Sequence, residues 1–269
     1  APMLFNSGLF LVLFLLFLPL YYLLRRHTLA RIIYVVCFSL FFYYKSSGYY
    51  ALILIMTATV DFIIGHLIAA TPERKVKRRW LTLSLCFNLG MLGYFKYTNF
   101  LLELFTPLVQ WIGGLVGISE ITTTQLGPLD IFLPVGISFF TFQGLSYVID
   151  VYRGDAAVQR DPLKLALYIA FFPQLVAGPI VRYTTVAEEI DERHESVSEF
   201  SAGAVRFLFG LGKKMLLANA VARIADAAFA AVMPSVLFAW LGAVAYTFQI
   251  YFDFSGYSDM AIGLGRMFG

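Results

Sequence analysis

The chain is a succession of long apolar runs separated by short polar segments. The first run, 4–24, carries no charge, and its basic residues follow it instead of preceding it. With no small-residue cleavage site after it, the run reads as a retained span and not as a signal peptide. A helix that crosses a bilayer needs roughly 20 mainly apolar residues. On that measure further candidate spans are 32–44, 49–70, 80–95, 100–116, 131–151, 163–181, 204–222 and 236–264. Several contain Gly or Pro, which predicts partial crossings. The expected fold is all-α, a polytopic membrane helix bundle with broken or re-entrant segments, forming one integral-membrane domain over 1–269.

The run 163–181 departs most from a straight span. Pro173 and Pro179 flank Gln174 and Gly178 within a few residues, and each proline removes a backbone donor and crowds the preceding turn. Unwound backbone survives at membrane depth only where protein or water satisfies it. A re-entrant loop lining a cavity is therefore expected, against the plainer alternative of a proline-kinked span.

Loop charges orient the spans. Arg25, Arg26 and Arg31 follow the first run; Arg74, Lys75, Lys77, Arg78 and Arg79 follow the third, with only Glu73 against them. Positive loops stay cytoplasmic, so the N-terminus is expected outside. The acidic stretch 188–199 reads as a short surface helix, with its side left open.

Composition supports a membrane protein and narrows its class. Hydrophobic residues make up 59 %, charged ones 14 %, and mean hydropathy is +0.76, against about 45–50 % and about 25 % in soluble chains. A net charge of +3 is too small to suggest nucleic acid. The two cysteines, Cys37 and Cys86, lie in separate apolar runs and indicate no pairing.

Polar residues inside apolar runs mark the candidate chemistry, because buried carboxylates in a bilayer are costly and face a cavity or a cation. The densest cluster is Asp253, Ser255, Gly256, Tyr257, Ser258 and Asp259; its structural alternative is an interfacial position with aromatic anchors. Asp61 and His66 stand five positions apart, about 140° around a helix, and so form no dyad. His27 and His194 read as solvated loop residues. Scattered histidines without a ligand spacing predict no metal site. Lys213 and Lys214 read as snorkelling lysines at a helix end. The basic segment 74–79 is first a topology determinant and second a contact for an anionic cytosolic donor such as a coenzyme A phosphate.

Ordered motifs add a family signal. These are Tyr94-Phe-Lys-Tyr-Thr-Asn-Phe100, Leu133-Pro-Val-Gly-Ile-Ser-Phe-Phe140 leading into Ser146-Tyr-Val-Ile-Asp-Val-Tyr-Arg-Gly154, Phe172-Pro-Gln-Leu-Val-Ala-Gly-Pro179, and the run from Tyr251 to Gly265. In this order they resemble the membrane-bound O-acyltransferase family, in its polysaccharide-modifying branch, over essentially the whole chain from Met3. The resemblance implies a tunnel across a bacterial cytoplasmic membrane. A cytosolic acyl donor, acetyl-CoA or an acyl carrier protein thioester, enters one mouth. The acetyl group reaches an exported, alginate-like polysaccharide with the help of extracytoplasmic acetyltransferase subunits. It also implies that Asp253, Ser255, Gly256, Tyr257 and Asp259, with Pro173, Gln174, Gly178, Pro179 and Arg182, shape that tunnel. The family's essential histidine is expected beyond Gly269, so no catalytic residue is assigned here. On this reading the chain is the N-terminal portion of a longer enzyme and inactive alone. D-alanyl transfer to teichoic acid is the alternative within the family. A transporter or channel, or a non-catalytic membrane scaffold, are the alternatives outside it.

Overall fold

A computed structural model describes residues 5–116, 129–176, 178–191, 193–232 and 235–269. Leu4 at the start of the first run, Ala177 of the proline segment and Glu192 of the acidic stretch lie outside the described residues. The helices are α1 (Gly8–Leu23), α2 (Thr28–Ser47), α3 (Ala51–Ala70), α4 (Arg74–Val116), α5 (Ile137–Arg153), α6 (Pro162–Ala170), α7 (Phe172–Leu175), α8 (Tyr183–Asp191), α9 (Val197–Gly212), α10 (Asn219–Phe229) and α11 (Val236–Met267). A π-helical segment, Lys213–Ala218, joins α9 to α10 without a break. The described residues contain no strand. Among them Gly8–Arg26, Thr28–Ala70 and Val236–Met267 are long and apolar enough to cross a membrane. The chain is an all-α membrane protein.

Local chemistry sets the helix ends. Ser7, Ser196 and Ser235 cap α1, α9 and α11 by accepting from the backbone N–H three residues on, at 3.3, 3.0 and 3.3 Å; each satisfies a donor that the first turn leaves open. Asp161 caps α6, whose first residue is Pro162. Gly136 and Gly154 bound α5 in the left-handed region, at φ 74° and 82°, and a Cβ on Gly136 would lie 2.2 Å from the Leu175 carbonyl oxygen.

Side-chain contacts give the direction of each helix. Tyr21 and Tyr22 near the end of α1 donate to the carbonyls of Phe268 and Met267 at the end of α11. Arg31 early in α2 pairs with Glu195 just before α9. These groups gather with Arg25 and Arg26 at one end of the bundle, here called the basic end. At the opposite end, Ser47 closing α2 accepts from Val135 N at 3.0 Å, and Tyr50 packs on Phe95 and Phe132. Helices α2 and α4 therefore run away from the basic end, and α3 and α5 toward it. The acidic stretch divides, with Glu188 and Glu189 closing α8, Glu199 opening α9, and Glu195 brought against Arg31 at the basic end.

The segment 159–183 enters and leaves at the same end. Gln159 donates to Tyr147 through its backbone and to Tyr183 through Nε2, at 3.0 and 2.8 Å. The tip at Leu175 meanwhile reaches the level of Gly136, a depth of about 16 Å at about 1.5 Å per helical residue. It is a re-entrant hairpin. Its tip residue Phe172 is buried in a ring cluster with Phe5, Phe10, Phe17, Phe38, Phe42 and Phe268, centroids 5.1–6.5 Å apart, and its backbone N–H donates to Ser39 Oγ at 3.2 Å. Aromatic packing and that hydroxyl offset the cost of breaking a helix at depth.

One expectation is corrected. Runs 80–95 and 100–116 are not two spans but parts of the single 43-residue α4. The polar stretch 96–99 between them forms no turn: Thr98 Oγ1 returns its hydrogen bond to Tyr94 O at 2.6 Å, inside the helix. At about 64 Å, α4 is longer than the roughly 30 Å hydrocarbon core.

Candidate functional site

A cavity of about 530 Å³ lies between the re-entrant hairpin and the last turns of α11. Its walls are apolar, from Leu167, Phe171, Val181 and Ile190 on one side and Ala261, Ile262 and Phe268 on the other. Charged and polar groups rim it: Glu189, Arg193, His194, Glu199 and Arg266. Arg193 donates to Tyr21 Oη at 2.7 Å and Glu195 is held by Arg31, so the rim segment 193–196 is pinned to α1 and α2. The cavity thus opens at the basic end, with apolar walls and a charged mouth.

Among the sequence-singled residues, Pro173, Gln174 and Pro179 line this cavity. Gly178 is buried where the hairpin folds back on itself, since a Cβ there would lie 2.4 Å from Gln174 Cα. Arg182 is exposed, just before α8. The cluster on α11 divides differently. Asp259 accepts from Arg206 Nε at 3.0 Å and from Lys213 Nζ at 2.6 Å, and Asp253 pairs with Lys214. Gly256 meets Gly210 closely, a Cβ on either lying 2.8 or 2.5 Å from the other's carbonyl oxygen. Tyr257 is stacked on Phe5 at 4.6 Å; its hydroxyl and Ser255 Oγ are buried without a hydrogen-bond partner among the described residues. Arg74, Lys75, Lys77, Arg78 and Arg79 form the first turns of α4 and are not among the residues lining the cavity.

Lys213 and Lys214 do not end a helix, as their reading as snorkelling residues supposed. They open the π-helical segment, within a continuous helical run, and both are ion-paired to α11. Widening a helix by one residue per turn changes the angular spacing of neighbouring side chains, and here each lysine meets a different aspartate.

The structure gives three residues a setting that the sequence reading did not. Gln143, buried on α5, donates through Nε2 to the Tyr168 carbonyl at 2.7 Å and to Gln174 Oε1 at 3.0 Å. Asp61 has no accessible surface, and its Oδ1 accepts from Ser84 Oγ at 3.1 Å and Asn88 Nδ2 at 2.9 Å. His194, although exposed, stands at the cavity rim. Gln143 and Asp61 both carried a usable signal, as polar side chains in apolar runs. Among the described residues no group of three His, Cys, Asp or Glu could hold a metal.

Comparison with known proteins bears on this architecture. Residues 156–269, which include the hairpin and α11, match the family model for the membrane-bound O-acyltransferase family. The chain is 39 % identical over 270 residues to a protein of Azotobacter vinelandii named "Probable alginate O-acetylase", covering 99 % of this chain and 52 % of that one. A Pseudomonas aeruginosa protein of the same name is 39 % identical, with 99 % and 50 % covered. The peptidoglycan O-acetyltransferase of Helicobacter pylori is 33 % identical, with 99 % and 54 % covered. The chain spans about half the length of the curated relatives it matches. It belongs with the membrane-bound O-acyltransferases, whose signature its residues 156–269 carry.

Proposed function

We propose that the protein containing this chain passes an acetyl group from a cytosolic thioester to an exported polysaccharide of the alginate type. The donor is acetyl-CoA or an acyl carrier protein thioester, and extracytoplasmic acetyltransferase subunits complete the transfer. The observation that carries this reading is the cavity itself: apolar walls, built by the hairpin and α11, behind a mouth rimmed with charge at the basic end. On the positive-inside rule that end is cytoplasmic. An apolar slot excludes water from the thioester, and cations near the mouth, Arg193 and Arg266, suit the anionic part of such a donor. The relatives named above, alginate and peptidoglycan O-acetylases, support the acceptor class. Asp253 and Asp259 serve this reading as ion-paired supports that hold α11 against α9 and the π-helical segment after it. The proton-transfer step is assigned to none of residues 1–269.

The test uses the full-length protein in proteoliposomes with acetyl-labelled CoA outside or inside. Label should be consumed from the side of the basic end only, and should reach polysaccharide when the partner subunits are supplied. Absence of thioester consumption with every donor and partner combination would reject the reading.

A further inference from the structure

Gln143 and Gln174 are joined in a way that settles the orientation of both amides. The Tyr168 carbonyl can only accept, so the Gln143 atom 2.7 Å from it is Nε2. That same Nε2 lies 3.0 Å from the Gln174 amide, which must therefore present Oε1 to it. With Oε1 already accepting from Gln143, the group of Gln174 left without any partner among the described residues is its N–H₂. Gln174 is half-buried and lines the cavity, whose walls also include Leu167, Phe171 and Ile262. An amide donor facing apolar walls is costly while unpaired and rewards a ligand that supplies an acceptor.

We infer that Gln174 donates from its N–H₂ to a carbonyl oxygen of a thioester-bearing pantetheine arm, and that Gln143 is the positioning residue that keeps the donor turned into the cavity. This rests on the donor reading above and adds its recognition contact. The arm is uncharged and carries a thioester and amide carbonyls, which matches a mostly apolar slot with an isolated donor. Coenzyme A and an acyl carrier protein both present this arm, so the contact is shared by either source.

The experiment measures equilibrium binding to full-length protein in nanodiscs, with S-acetyl-pantetheine, acetyl-CoA and an acetylated carrier protein as probes. Gln174→Glu keeps the acceptor for Gln143 and the volume, but replaces the donor by an oxygen. Gln174→Met removes the polar atoms without adding charge, should the carboxylate unsettle the fold. Both variants should weaken S-acetyl-pantetheine binding roughly five- to tenfold, about the worth of one hydrogen bond, with the unfolding temperature unchanged for at least one. The same factor should apply to whichever larger donor the wild type binds. Gln143→Glu should weaken binding on its own, since its carboxylate turns the Gln174 amide around, yet add nothing in the Gln174→Met background; a merely structural role would add in both. If the wild type binds the probes and the Gln174 variants bind equally well, this assignment falls while the donor reading stands. If the wild type binds none of the three, the donor reading itself falls.

Discussion

Asp61 has no accessible surface and sits midway along a membrane helix, where a carboxyl group is tolerated only with partners. Its partners arrive from the next helix: Ser84 and Asn88 are four residues apart on α4, and therefore share a face, and both donate to Oδ1. The other oxygen lies against Gly144 of α5, where a Cβ would come within 2.1 Å of it. Gly144→Ala should force α3 and α5 apart and destabilise the protein by about 1–3 kcal/mol. Thermal unfolding in detergent measures this, and an unchanged midpoint would show that the three helices do not meet as described. His66 stands apart from this cluster, its Nδ1 3.0 Å from the Phe62 carbonyl of its own helix, consistent with the angular separation its spacing predicts.

At the scale of elements, α9 and α11 form an antiparallel pair held by glycines and charges in one register. Gly203 faces Gly263 and Gly210 faces Gly256, so close that an added Cβ on any of them lies 2.5–2.8 Å from the opposite carbonyl. Small residues let the backbones approach, which is how helices gain packing energy in lipid. The ion pairs follow the same register, from Glu199–Arg266 through Arg206–Asp259 and Lys213–Asp259 to Lys214–Asp253. Removing the shared carboxylate by Asp259→Ala strands two cations beside apolar helices and should cost about 2–3 kcal/mol, whereas Glu103→Ala on the exposed part of α4 should cost almost nothing. Reversing the terminal pair, Asp253→Lys with Lys214→Asp, should recover most of the stability lost in either single variant. Chemical unfolding of the five variants, the double exchange included, checks both statements; equal losses for Asp259→Ala and Glu103→Ala would remove the role given to the register.

For the whole molecule, the bonds at the basic end tie distant parts of the chain together. Arg31 to Glu195, Arg193 to Tyr21, and Tyr21 and Tyr22 to the end of α11 put the α1–α2 junction, the cavity rim and the last turn of α11 at one membrane surface. With Cys37 and Cys86 replaced, single cysteines report this directly. Thr71→Cys and His194→Cys should share one sidedness toward an impermeant thiol reagent in intact cells, reacting only after permeabilisation, while Tyr49→Cys should react from outside. Labelling of Thr71→Cys and His194→Cys from opposite sides would break the arrangement; labelling of both from outside would keep it and invert the orientation.

The sequence by itself determined the helical membrane class, the apolar runs that form α1, α2, α3 and α11, and the broken character of 163–181. These depend on residues close together in the chain: apolar length, proline chemistry and clustered charge act over one or two turns. Motif order likewise sufficed to recognise the family. Tertiary structure decided what no local pattern encodes. It decided that α4 runs unbroken through 96–99, because Thr98 bonds back within the helix. It decided that Asp253 and Asp259 meet Lys214, Arg206 and Lys213, and that Gln143 takes the oxygen of Gln174. Each of those choices depends on the register between elements packed side by side. Register follows from close packing of whole helices, where a glycine on one backbone admits a carbonyl from another, and it becomes visible only once both helices are in place.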